Sequence, residues 1–137
     1  MSDVQASPVP WFRNPLTWLI VYGVALAMIA FWPTPVDREA AGLLRAISRA
    51  IPWLSYPVIE FTANIVLFVP LGALGSFLFP RRPLLVLGVA LAVTVLIESV
   101  QALLLAQRTP SGFDVLANTL GAVVGITIVW LVRSRQH

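Results

Sequence analysis

The sequence predicts an all-α integral membrane protein: a bundle of four transmembrane helices with one amphipathic interfacial helix between the first and the second. Three observations carry that prediction. The 137 residues are 58% hydrophobic and only 11% charged, whereas a soluble domain devotes about a quarter of its residues to charge. The apolar residues gather into segments of about 20, the helical length that crosses a hydrocarbon core of about 30 Å. All nine basic residues are arginines, mostly at segment ends, so they read as membrane flanks and exclude a nucleic-acid surface. The absence of cysteine removes disulfides and thiolate chemistry, and the only histidine, His137, is the last residue. No histidine or cysteine metal site is therefore expected.

Residues 1–15 are polar and broken by Pro8, Pro10 and Pro15, which predicts a cytoplasmic arm ending beside Arg13. The first span covers about 16–32 and is bracketed by Trp18 and Trp32, as interfacial aromatics would be. Ala25-Leu26-Ala27 resembles a cleavage site but lies inside the apolar run, so an uncleaved helix is expected. Thr34, Pro35 and Asp37 form a helix-start signature. From there Val36, Ala40, Leu43, Leu44, Ile47 and Ile51 recur at helical spacing, away from Arg38, Arg45 and Arg49. That pattern predicts an interfacial helix over about 35–51, with a lid over the bundle as the alternative.

The second span runs over about 58–79 and ends at the basic turn Pro80-Arg81-Arg82-Pro83. The third covers about 84–106 and the fourth about 113–132, followed by a tail at 133–137. The tight turn makes the second and third spans antiparallel neighbours. Arg13, Arg81, Arg82, Arg133 and Arg135 then share one side, which the positive-inside rule assigns to the cytoplasm together with both termini. Residues 16–132 form a single membrane domain.

Against this background the polar residues inside the spans are the informative ones. Glu60 and Asn64 are four apart, Glu98 and Gln101 three apart, and Asp114 and Asn118 four apart, so each pair occupies one helix face. At 1.5 Å per residue Glu98, Asn64 and Asn118 lie about 7–10 Å from the outer ends of their helices. Three helices thus bring a carboxylate and a carboxamide each to one depth. A charge at a helix centre costs about 2.5–3.5 kcal/mol on insertion scales, so these groups should face protein or water. Arg108, in the loop between the third and fourth spans, is the counter-charge expected at the mouth. Gly72, Gly75, Gly121 and Gly125 are read as helix-packing positions, and Pro70 as the cause of a kink.

The ordered set "ANIVLFVPLG", "IESVQ", a following arginine and "DVLANTLGAVVG" resembles the VanZ-like family of small membrane proteins over roughly residues 60–126. The matching positions are Asn64, Phe68, Pro70, Gly72, Glu98, Gln101, Arg108, Asp114, Asn118, Gly121 and Gly125. One position departs from the pattern: Ser111 stands where the family usually carries a further acid, three residues before Asp114. The resemblance implies a four-helix protein of the bacterial cell membrane and an association with low-level resistance to the glycopeptide teicoplanin.

Four readings of the polar cluster follow. The first is an outward-facing pocket of Glu60, Asn64, Glu98, Gln101, Arg108, Asp114 and Asn118 that binds an envelope lipid, a lipid-linked cell-wall precursor or a glycopeptide. In the second, Glu98 is the catalytic acid or base of a membrane-embedded enzyme. The third is helix packing alone. The fourth adds a hard cation, calcium or magnesium, on carboxylate and amide oxygens; no other cofactor is expected. The partner common to all four is the lipid bilayer, with no nucleic acid, and the glycine faces serve either internal packing or self-association.

Overall fold

In a computed structural model, residues 10–31, 41–104 and 111–136 are described. Trp32, the helix-start residues Thr34, Pro35 and Asp37, Arg108 and His137 lie outside them. Five α-helices follow a short 3-10 turn at Trp11–Arg13: α1 Pro15–Ala30, α2 Ala41–Ala50, α3 Tyr56–Leu78, α4 Pro83–Leu104 and α5 Gly112–Ser134. No strand occurs among the described residues.

Local chemistry sets the helix starts. The Asn14 side chain accepts a hydrogen bond from the Leu16 N–H at 2.9 Å and Pro15 opens α1, where a missing N–H costs nothing. Ser111 caps α5 through its hydroxyl and the Phe113 N–H at 3.1 Å, with Asp114 in the first turn facing the positive helix end. Proline or glycine in the first turn carries α1, α3, α4 and α5 one or two residues ahead of the apolar runs that mark them in the sequence. At its far end α5 continues through Arg133 and Ser134, beyond the last apolar residue, because Arg133 folds back to donate to the Ser76 carbonyl at 3.2 Å.

Length separates α1 from the other long helices. With 22 or 23 residues, α3, α4 and α5 extend about 33–35 Å and are long and apolar enough to cross a membrane. The 16 residues of α1 extend about 24 Å. Its apolar flank is nonetheless turned outward, with Ile20, Val24 and Met28 more than half exposed. Large apolar side chains also cover the outside of α4 and α5, a surface suited to lipid and not to water.

The tightest contact is between α3 and α5, which run parallel. A methyl group on Gly121 would sit 2.1 Å from the Ile65 carbonyl oxygen, one on Gly125 2.1 Å from that of Val69, and one on Gly72 2.2 Å from that of Ala122. Helix backbones this close gain dispersion and Cα–H···O contacts that side chains would prevent. Gly75 differs in receiving a side chain, that of Val86 of α4. A small core of Leu26, Ala30, Phe68 and Ile97 ties α1 to α3 and α4. The Tyr22 hydroxyl donates to the Leu67 carbonyl, fixing α1 antiparallel beside α3. Pro70 is accommodated within α3, which continues on both sides of it.

In α2, Leu43 is 65% exposed and Ile47 half-buried, and Trp53 just beyond the helix is 75% exposed. Ser48 closes the turn after it by donating to the Leu54 carbonyl at 2.9 Å.

Candidate functional site

At the end of the bundle where α3 and α5 begin and α4 stops, the helices part around a cavity of about 70 Å³. Its polar wall is Glu60 and Asn64 of α3, Glu98 and Gln101 of α4, and Asp114 and Asn118 of α5. Its apolar wall is Leu26, Ile29 and Ala30 of α1 with Leu67, Phe68 and Ile97. All six intramembrane polar residues singled out by spacing therefore border one space.

Burial grades across the site. Gln101, Asn118 and Glu98 are buried at 6%, 5% and 9% exposure, Asn64 and Asp114 are half-buried, and Glu60 is exposed at the rim. Several of these groups also join helices. Asn64 Nδ2 donates to Asp114 Oδ1 at 2.8 Å, linking α3 to α5. Asn118 Nδ2 donates to Thr94 Oγ1 at 2.7 Å, linking α5 to α4. Gln101 Nε2 donates to the Ala30 carbonyl at 2.8 Å, which satisfies one of the orphan acceptors at the end of α1. The Ser111 N–H donates to Glu98 Oε2 at 3.1 Å, so the cap of α5 is held by the buried acid of α4.

Among the buried side-chain polar atoms of the described residues, one is left over. Asn118 Oδ1 is buried and has no hydrogen-bond partner. Leaving a buried acceptor unmade costs about 1–3 kcal/mol, and a group that donates to it from the cavity would recover that.

Size limits what can enter. A cavity of about 70 Å³ takes a few waters or one small polar group, against the ~300–1,000 Å³ of a drug-sized site. Beside it lies a wider groove of about 410 Å³, walled by Pro57, Val58, Phe61, Ser111 and Phe113 and sharing Glu60 and Asp114 with the cavity. Polar chamber and apolar groove thus meet at two carboxylates.

Sequence spacing missed three contributors. Thr94 is fully buried and holds Asn118; it lies one turn before Glu98 on the same face of α4, so its place was readable. Ser111 contributes through its backbone, at the position where the resemblance leads one to expect an acid. Ala30 contributes only a carbonyl, and nothing in an apolar side chain announces that. Ser99, next to Glu98 in sequence, is exposed and donates to the Val95 carbonyl at 2.7 Å, which turns its hydroxyl away from the acid. Among the described residues no three His, Cys, Asp or Glu side chains are grouped to hold a metal ion.

Long apolar helices packed through glycine, with a polar chamber inside one end of the bundle, define an α-helical membrane protein. The VanZ/LLP1 family model matches residues 19–133, and the chain belongs to that family. No curated protein and no solved structure matches it.

Proposed function

We propose that the chain crosses the bacterial cell membrane four times, with α1 as the first span beside α3, α4 and α5, and that its chamber opens toward the outer leaflet and holds the polar head of a membrane amphiphile. The head belongs to an envelope lipid or a lipid-linked cell-wall precursor, and its chain occupies the neighbouring groove. Holding such a molecule contributes to teicoplanin-type resistance or to envelope homeostasis. The observation that carries this reading is the junction of the two spaces: a small polar chamber and a larger apolar groove that share Glu60 and Asp114. The stranded Asn118 Oδ1 and three surrounding acids favour a head that donates hydrogen bonds. A whole lipoglycopeptide exceeds the chamber, so such a drug would engage it through one group only.

The four-span arrangement draws support from the packing of α1 along α3 and from Gln101 binding its last carbonyl. The positive-inside rule favours a cytoplasmic location for the opposite end, with Arg81, Arg82, Arg133 and Arg135.

The test is photo-crosslinking in bacterial membranes from position 113, where Phe113 lines the groove. The expected product is a crosslinked amphiphile, identified by mass spectrometry, whose yield falls at least fivefold in a Glu98→Gln background. Equal yields of bulk phospholipid in both backgrounds would remove the reading. A chemically altered lipid formed only with Glu98 in place would make that residue catalytic.

A further inference from the structure

The opposite end of the bundle carries a second, separate site. Where α3 ends, α4 starts and α5 ends, a groove of about 230 Å³ opens, lined mainly by Phe79, Pro80, Pro83, Val129 and Trp130 and closed on one side by Arg133. The Arg133 guanidinium is held in place: one N–H donates to the Ser76 carbonyl at 3.2 Å and the plane lies 5.2 Å from the Phe77 ring centre. A guanidinium has five donors, so after that bond a fork remains for a phosphate. Arg81 and Arg82 stand exposed in the turn beside the groove, and Arg135 lies just past α5. The three acids among the described residues, Glu60, Glu98 and Asp114, all line the chamber at the other end. Positive charge here is therefore not balanced by a neighbouring carboxylate of the described bundle.

We infer that this groove is a binding site for an anionic phospholipid, whose phosphate sits on Arg133 with Arg81 or Arg82 and whose first acyl segment lies against Trp130 and Pro83. Charge complementarity selects the occupant. Basic pockets between membrane helices suit anionic head groups, and each arginine near such a head strengthens binding by about fivefold. The apolar lining selects a lipid over a free anion, because a small ion would leave the groove walls uncovered.

Native mass spectrometry of the purified full chain in detergent, titrated with phosphatidylglycerol or phosphatidylcholine of matched chains, tests this. Phosphatidylglycerol adducts should exceed phosphatidylcholine adducts by about tenfold. Arg133→Gln should cut the preference about fivefold, as should the Arg81→Gln/Arg82→Gln pair, whose exposed side chains allow substitution without disturbing the fold. Arg13→Gln, outside the groove, should change it less than twofold. Equal binding of the two lipids, or a preference unaltered in the paired turn variant, would overturn the inference. Displacement of the lipid by millimolar inorganic phosphate would show a plain anion site and overturn it equally.

Discussion

The two halves of the α3–α5 seam are built on opposite rules. In the half away from the chamber, Gly72, Gly121 and Gly125 let the backbone of one helix approach the backbone of the other. In the half around the chamber, Asn64 and Asp114 bridge α3 to α5, Asn118 reaches across to Thr94 of α4 instead, and one acceptor is unmet. The glycine half is closed as far as atoms permit, whereas the half around the chamber is held open. Polar residues used only as glue would be satisfied within the protein, each such bond contributing about 0.6 kcal/mol. Asn118 Oδ1 has no such partner, and the proposed head group would supply one.

Changes that break this contrast can be ordered by size. Gly125→Leu should be the most damaging, because the added side chain meets the Val69 carbonyl and the Ala73 nitrogen, which cannot move without separating the helices. A loss at or above about 3 kcal/mol is expected, read as a collapse of thermal stability in detergent. Asn118→Leu comes next for function but not for stability. It forfeits the Thr94 bond, about 1 kcal/mol, and removes the stranded oxygen, so unfolding should shift by under about 1 kcal/mol while crosslinking from position 113 falls severalfold. Asn64→Ala should cost about 0.6 kcal/mol through its lost bond to Asp114, measurable as a small drop in melting temperature. Gly88→Ala is the smallest change. Nothing lies within 4 Å of a methyl group there, so helix propensity alone should stabilise α4 by about 0.5–1 kcal/mol.

Much of this arrangement was readable in the chain. Helical periodicity put Glu60 with Asn64, Glu98 with Gln101 and Asp114 with Asn118 on common faces, and chain length from the helix ends put them at one depth. Both readings depend only on helix geometry, which apolar surroundings enforce. The membrane length of α3, α4 and α5 was legible for the same reason. What was hidden depends on backbone groups and distances across helices. Ser111 N–H on Glu98 and Gln101 on the Ala30 carbonyl cannot be seen in side-chain identity. The size of the chamber follows from how Phe68 and Ile97 fill the space beside it, a packing outcome with no sequence signature. The sequence places the first span over about 16–32 and α1 covers Pro15–Ala30, a helix of about 24 Å that is shorter than α3, α4 and α5.

The proposed function requires the buried carboxylate of α4 to serve a ligand in addition to holding the Ser111 N–H. The most direct measurement compares wild type with Glu98→Gln in a sensitive bacterium, at equal membrane abundance and matched melting temperature, across teicoplanin and a panel of other envelope inhibitors. The account predicts protection by the wild type against at least one inhibitor and its loss in the variant. Equal protection by both proteins would contradict it and leave Glu98 as a helix-packing residue.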